Sequence, residues 1–409
     1  MKHSSPAPTC RFRLRAFPAL MIVGSMLGMQ IFLEIPAVAG VGELRPGLEG
    51  SSGRADFLDA TVHEEQTAPP ARTAANPTEL PAYKGHGLPR LRGVMSPNSF
   101  RDEDLRILGE EWKANLIRWQ ITRNWGRAGT EMDLAEYDRW MDAKLNELDQ
   151  VLIACARYGI KVVIDLHTPP GGRDESMDMM MFYDRKYQDH FVELWEKIAR
   201  RYKGQPALWG YDLVNEPVCA KPTEPGMDSL ATQVRAARAI RRIDPATPII
   251  IAAYQWDSPV AFTRLEPVGI SNVVYQVHMY TPHSFTHQGV NNNHTGIAYP
   301  GTTEGRAWDK DALRQVLQPV RDFQQTHNVH IYAGEFSAIR WAPGAERYLE
   351  DCISLFEEYG WDWSYHAYRE WDGWSLEHGE DPGNHDPVAG MGARMKVLRG
   401  WFDRNQAPR

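Results

Sequence analysis

Eight short runs of apolar residues recur along the chain from about Gly87 onward, separated by longer amphipathic stretches. The runs are mostly continuous rather than alternating, which is typical of parallel strands that are covered on both faces. They are LRGVM, ANLIRWQI, KVVIDLH, LWGYDLVNE, TPIIIAAY, NVVYQVHMY, VHIYAGEF and WDWSYHAY. The pattern predicts eight buried β-strands.

The stretches between these runs carry apolar residues about every 3.6 positions, as amphipathic helices do. Two of them end on Gly159 and Gly204, and glycine commonly follows the last residue of a helix. Strands interleaved with helices predict an α/β fold, a (β/α)8 TIM barrel that forms a single domain over residues 86–405. An open doubly wound sheet is the alternative. The absence of a glycine-rich phosphate loop after the first strand disfavours it.

The N-terminal segment has the composition of an export signal. A basic, polar stretch is followed by an apolar run and then by small residues, which predicts a signal peptide over residues 1–39 with cleavage after Ala39. An uncleaved anchor is the alternative, but the apolar run is shorter than the ~20 residues that a membrane span needs. Residues 40–85 are rich in Gly, Pro, Ala, Thr and Glu and are interpreted as a linker or N-terminal extension. The predicted location is secreted or periplasmic.

Composition narrows the class of ligand. The 45 basic against 53 acidic residues give a net charge of −8, which argues against a nucleic-acid partner. The 14 tryptophans offer flat apolar faces of the kind that stack on sugars. Beyond the predicted signal remain Cys155, Cys219 and Cys352, and their spacing selects neither a metal site nor a disulfide pair. No cofactor or metal is predicted.

Polar residues stand where the predicted strands end. In a TIM barrel the active residues lie at these carboxyl ends, so the residues there are expected to meet at one mouth. They are Arg118 after the second strand, His167 after the third, Asn215 and Glu216 after the fourth, His278 and Tyr280 after the sixth, and Glu335 after the seventh. Two carboxylates that face each other across a mouth are what glycoside hydrolysis requires.

The motifs VNEPV and YAGEF, together with LIRWQI, VVIDLH and QVHMY, resemble those of glycoside hydrolase family 5 over residues 87–405. The resemblance implies a retaining β-glycosidase that acts by double displacement on a β-linked polysaccharide or oligosaccharide. An endo-β-1,4-glucanase is the expected activity, and mannan, β-1,3-glucan or a glycoconjugate is the alternative substrate. A non-catalytic carbohydrate-binding barrel is the rival from another class, and the presence of both glutamates and Arg118 argues against it.

The same resemblance implies a role for each residue. Glu216 matches the acid/base and Glu335 the nucleophile, while Arg118 would keep Glu335 ionised. The remaining matches are Asn215 with the amide that binds the sugar 2-hydroxyl, His167 and His278 with histidines of the central subsite, and Tyr280 with the hydroxyl near the nucleophile.

The sequence departs from the family pattern at the eighth strand. The family often places a tryptophan there as the floor of the central subsite, and His366 stands at that position. Because a pyranose ring needs an aromatic face, we predict that Trp371 forms the platform, with Trp374 available to an outer subsite. The geometry of the platform, and with it the substrate, stays open.

Overall fold

The computed structural model describes residues 86–123, 129–290 and 293–407. The predicted signal peptide and the 40–85 extension lie outside these residues. Within the described ranges, no helix combines the length and the apolar character that crossing a membrane requires.

Eight parallel strands of the described chain close into a barrel in the order β1-β10-β9-β6-β5-β4-β3-β2. Each barrel strand therefore pairs with the barrel strands that precede and follow it along the chain, and β1 pairs with β10 to close the ring. The predicted (β/α)8 TIM barrel is confirmed. The strands are β1 (Arg92–Met95), β2 (Leu116–Gln120), β3 (Lys161–Asp165), β4 (Leu208–Asp212), β5 (Ile249–Ala252), β6 (Val273–Met279), β7 (Gly301–Thr303), β8 (Arg306–Trp308), β9 (His330–Phe336) and β10 (Asp362–Tyr365).

Helices cover the outside of the barrel, and five long ones lie in the stretches between strands where the apolar spacing predicts amphipathic helices. They are α2 (Leu134–Tyr158), α3 (Arg185–Tyr202), α4 (Ser229–Ile243), α6 (Lys310–His327) and α7 (Ala345–Tyr359). Shorter helices are α1 (Asp102–Arg106), which continues as a π-helix to Glu111, α5 (His283–Thr286) and α8 (Ala393–Phe402). The ends of α2 follow local chemistry. The Asp133 carboxylate accepts the first free backbone N–H groups, and Gly159 ends the helix at φ 71°.

Side chains fill the inside of the barrel. One buried cluster, separate from the larger core between strands and helices, takes inward-facing residues from successive strands, because neighbouring residues of a strand point to opposite faces. Its strand members are Leu116, Val163, Trp209, Ile250, Val274 and Tyr332. The barrel is thus a packed core rather than a pore. Cys155, Cys219 and Cys352 are free thiols.

Candidate active site

Seven of the predicted site residues are joined by direct contacts at the carboxyl ends of the strands. The strand register brings two of them together, because pairing of β6 with β9 sets His278 opposite Glu335. Side-chain contacts then link all seven: Arg118 to Glu335 and to Asn215, Asn215 to His167, His278 to Glu216 and to Glu335, and Tyr280 to Glu335.

Arg118 is the hub of this set. Its guanidinium is fully buried and donates to Glu335 Oε1 at 2.6 Å, to Asp212 Oδ2 at 2.8 Å and to Asn215 Oδ1 at 3.0 Å. It also lies 3.1 Å from Asp165 Oδ1. The planar guanidinium presents several N–H groups in fixed directions, so one side chain orients four residues from three strand ends, those of β3, β4 and β9.

Glu335 is the more buried of the two glutamates. Burial by itself raises the pKa of its carboxyl, but the positive charges of His278, His366 and Arg118 outweigh this and hold the pKa well below the usual range. The Tyr280 hydroxyl donates to Glu335 Oε2 at 2.9 Å. Glu335 is therefore ionised and oriented at neutral pH, as a nucleophile must be.

Glu216 has a constrained backbone. Its φ of 46° lies in the left-handed region, which a non-glycine residue adopts only when its surroundings enforce it. Two side chains do so: Asp257 Oδ2 accepts the Glu216 N–H at 3.1 Å, and Arg173 Nη2 donates to the Glu216 carbonyl at 2.9 Å. The same Arg173 nitrogen donates to the carbonyl of Asn215 at 3.0 Å. The Glu216 side chain is 21 % exposed, against 5 % for Glu335.

His278 connects the two glutamates. Its Nδ1 lies 3.0 Å from Glu216 Oε1 and 3.8 Å from Glu335 Oε2. Burial alone would lower the pKa of His278, but Glu335, Asp257 and Glu216 together raise it to about 9. Burial raises the pKa of Asp257 itself to about 8. A charged imidazole thus lies between the carboxyl groups of the two glutamates.

His167 and Asn215 form one side of the site. His167 Nδ1 lies 2.8 Å from Asp165 Oδ2 and its Nε2 lies 3.1 Å from Asn215 Nδ2. Because the Asp165 carboxylate accepts from Nδ1, Nε2 is left to accept from the amide of Asn215. Arg118 fixes the other end of that amide. One N–H of Asn215 consequently remains for a ligand.

A row of aromatic rings extends outward from Tyr280 along one side of the site. The His366 ring stands perpendicular to Tyr280 at 6.2 Å, and the Trp374 ring lies 6.4 Å from Tyr280 and 5.5 Å from His366. Trp371 lies one ring further out, 5.8 Å from Trp374 and 6.1 Å from Trp341. The predicted platform residue is thus exposed beside the site, and in the described chain its ring contacts are these two tryptophans. Its stacking role stays a prediction.

Two sets of described residues place three potential metal-ligand atoms within 4.8 Å of one another. One is Glu216, His278 and Glu335, where a bound cation would occupy both carboxylates that hydrolysis needs. The other, His86, His330 and Asp362, lies at the opposite end of the barrel. That no metal takes part in the reaction stays a prediction.

The residues that support the site were not predicted from the sequence. Asp165 and Asp212 each end a strand, in KVVID and LWGYD, so a carboxylate closing an apolar run was the available signal. Asp257, Arg173 and Glu370 lie in loops, and no periodicity or motif marks them.

Comparisons with known proteins agree with this geometry. The family model Cellulase (glycosyl hydrolase family 5) matches residues 73–372. Endoglucanase C of Acetivibrio thermocellus is 29% identical over 252 residues, which cover 54% of this chain and 72% of that protein. Cellodextrinase A of Ruminococcus flavefaciens is 30% identical over 203 residues, 47% of this chain and 58% of that protein.

Solved structures match the same barrel. The endoglucanase Cel5A of Thermotoga maritima superposes with a TM-score of 0.60 at 22% identity and covers 75% of this chain and 96% of that one. A further structure, described as a glycoside hydrolase, gives a TM-score of 0.59 at 24% identity over 76% of this chain and 99% of that one. At these identities the superpositions establish the fold. With the family model covering most of the chain and endoglucanases among its relatives, this protein belongs to glycoside hydrolase family 5 and is a β-glycosidase of the cellulase type.

Proposed function

We propose that this protein is an endo-β-1,4-glucanase that retains the anomeric configuration, with Glu335 as nucleophile and Glu216 as acid/base. The observation that carries the proposal is the difference between the two glutamates. Arg118 and Tyr280 both bind Glu335, whereas Glu216 contacts His278 and is more open to solvent. Two carboxyl groups with different environments are what an acid and a nucleophile require.

The spacing of the carboxylates supports retention. One oxygen of Glu216 and one of Glu335 lie within 4.8 Å of each other. Retaining enzymes hold the two carboxyl groups about 5–5.5 Å apart, and inverting enzymes about 6.5–9.5 Å, which leaves room for a water between carboxylate and sugar. The short separation favours direct attack by Glu335.

In the first step Glu335 attacks the anomeric carbon and the glycosidic C–O bond breaks. The proton of Glu216 passes to the departing oxygen, so a neutral alcohol leaves and a glycosyl ester of Glu335 forms. The free N–H of Asn215 is placed to donate to the 2-hydroxyl of the sugar, a contact that strengthens in the transition state. The neutral Tyr280 hydroxyl, whose pKa burial and then Glu335 raise well above 10, positions the attacking carboxylate.

In the second step the ester is hydrolysed. Glu216, now a carboxylate, removes a proton from a water that attacks the anomeric carbon from the side the leaving group vacated. The bond to Glu335 breaks and its carboxylate returns to Arg118. Two inversions at the same carbon give net retention.

Cellulose-type β-1,4-glucan is proposed as the substrate because several relatives of the chain are endoglucanases. The name cellodextrinase of another relative makes short cello-oligosaccharides part of the test. Carboxymethyl cellulose, cello-oligosaccharides, β-mannan and β-1,3-glucan should be compared at equal enzyme concentration. Highest kcat/KM on mannan or β-1,3-glucan would replace the glucan assignment without changing the mechanism.

The stereochemical test follows the first anomer formed from cellopentaose by ¹H NMR. We expect the β-anomer to appear before mutarotation produces the α-anomer. In Glu335→Ala, turnover should be abolished, and added azide should yield an α-glycosyl azide because the small anion enters where the carboxylate is missing. Initial release of the α-anomer by the wild type would exclude double displacement.

Export is proposed from the N-terminal pattern alone. Sequencing the mature N-terminus from cells that express the full chain should find Gly40 as the first residue in the secreted or periplasmic fraction. A full-length chain retained in the membrane fraction would favour the anchor instead.

A further inference from the structure

His366 lies in the wall beside the proposed nucleophile. Its backbone N–H donates to the carbonyl of Phe336, the residue after Glu335, at 3.1 Å. Its ring stands perpendicular to that of Tyr280, whose hydroxyl donates to Glu335. These contacts place an imidazole next to the carboxylate that is proposed to carry the chemistry.

A buried carboxylate holds this imidazole. His366 Nε2 lies 2.7 Å from Glu370 Oε2, and the Glu370 side chain is 0 % exposed. A carboxylate removed from water is stable as an ion only beside a positive charge, so the contact favours the imidazolium form of His366. Within the described residues, the charged or titratable groups that face His366 are Glu370, Glu335, Glu216, Tyr280 and His287.

These neighbours favour a charged His366. Burial lowers the pKa of its imidazole, but the carboxylates of Glu370, Glu335 and Glu216 outweigh burial and raise the pKa above 6.5. His287 is different, because burial and then the nearby histidines hold its pKa well below 6.5. His366 is thus the charged imidazole on this side, whereas an indole at the same position would be neutral.

We propose that His366, oriented by its buried ion pair with Glu370, is a positioning residue for Glu335 and keeps that carboxylate charged at acidic pH, where a neutral side chain would not. The inference rests on the proposed function, in which Glu335 is the nucleophile. His366 acts on Glu335 by its charge, and Glu370 acts by holding the His366 ring. His366 extends the acidic limit at which the enzyme works.

The test is the acid limb of the kcat/KM profile on cellopentaose, which reports ionisation of the free enzyme. His366→Gln removes the charge, and Glu370→Gln removes the carboxylate that favours it. We expect the acid limb to move to higher pH in His366→Gln. In Glu370→Gln it should not move to higher pH, because His366 stays protonated in acid and a neighbouring negative charge is gone. The matched control is His385→Gln, which removes an exposed histidine paired with Asp372 at 2.7 Å, and its profile should superpose on that of the wild type.

A measurement that needs no activity accompanies the kinetics. In the wild type and in Glu335→Gln, the His366 ring is titrated by ¹⁵N NMR, and we expect its midpoint to fall in the variant because a neighbouring negative charge is gone. An unchanged acid limb in folded His366→Gln would overturn the proposal. A neutral His366 ring at pH 6 in the wild type would overturn it as well, even if the variants failed to fold. Full turnover by Glu335→Ala would instead reject the proposed function. The NMR titration still tests the interaction between His366 and Glu335 in that case, because it does not depend on activity.

Discussion

Glu216 combines a left-handed backbone with a side chain that reaches towards solvent. As the general acid, Glu216 contributes most to the rate when the leaving group is a poor one that must be protonated to depart. Glu216→Ala should lower kcat/KM on cello-oligosaccharides by about 10²–10⁴-fold, the range for a general acid, and should slow activated aryl cellobiosides far less. Steady-state rates on both substrates provide the comparison.

The control for this variant is Glu224→Ala, which removes an exposed glutamate from the loop that follows β4. Its rates should match the wild type on both substrates. Equal loss on both substrates in Glu216→Ala would remove Glu216 from the acid role, since a poor and a good leaving group would then need the residue alike.

Asp257 illustrates what the sequence could not reveal about the site. Strand-end residues such as Arg118 and Glu335 are predictable because a barrel directs every strand end to one mouth. Asp257 instead lies in a loop and reaches the mouth because the backbone turns there. Gln255, Trp256 and Asp257 are three successive residues with φ of 59°, 66° and 53°. None is glycine, so composition gives no sign of a left-handed turn. The support of Glu216 therefore emerges only from the folded chain.

Strand β9 carries Glu335 and depends on the glycine before it. A Cβ at Gly334 would lie 2.2 Å from Gln276 Oε1 and 2.6 Å from Cδ of that residue. The Gln276 amide donates to Asp212 at 3.3 Å and contacts Asp257 at 3.5 Å, so displacing it disturbs the carboxylates beneath the site. Gly334→Ala should cost about 1–3 kcal/mol of unfolding free energy, as overpacking does, and lower kcat.

Gly269→Ala is the matched control, because nothing lies within 4 Å of a Cβ built there. Urea unfolding and kcat on cellopentaose should be measured for both variants. A Gly334→Ala protein with wild-type stability and wild-type kcat would show that Gln276 moves aside without consequence.

The loop after β10 carries the aromatic row, and Trp371 is its exposed member. Gly373 packs beneath the ring, since a Cβ there would meet it at 2.4 Å, so the indole is fixed in orientation before any sugar arrives. Trp371→Ala should lower kcat/KM on cello-oligosaccharides several-fold, about 1 kcal/mol for one aromatic contact, with little change in Tm. Trp371→Phe should recover most of the loss. Wild-type kinetics in Trp371→Ala, with a loss in Trp374→Ala, would transfer the platform to Trp374.

Periodicity predicted the long elements and missed the short ones for the same physical reason. The 25-residue α2 repeats its apolar spacing often enough to be recognised, and a buried strand such as β5 is recognised as an unbroken apolar run. The hairpin of β7 and β8, with three residues in each strand, has no repeat to detect. It lies in the long connection between β6 and α6.

Barrel closure is reinforced at the end opposite the site. Asp362, at the start of β10, accepts the Leu91 N–H at 2.7 Å, and its Oδ2 lies 3.0 Å from His86 Nε2 and 2.8 Å from His330 Nε2. One carboxylate thereby ties the chain before β1 to β9 and β10, beside the β1–β10 pairing that closes the ring. Burial raises the pKa of Asp362, but the hydrogen bonds from His330 and His86 outweigh it and hold the pKa well below its usual range.

Asp362→Asn should therefore destabilise the barrel without altering the chemistry. Breaking a buried charged pair costs about 3–5 kcal/mol, so Tm should fall clearly. From His330 to Glu335 the strand rises roughly 16 Å, far enough that kcat of the folded variant should be unchanged. Because a depressed carboxyl pKa stabilises the fold above the unfolded value of about 3.9 and this effect is lost as the pH falls further, the stability difference from wild type should shrink below about pH 4.

Asp142→Asn, at an exposed carboxylate paired with Lys197, is the control and should change stability little. Urea unfolding at pH 7, 4.5 and 3.5 provides the measurement, and a difference that grew from pH 4.5 to pH 3.5 would contradict this role for Asp362.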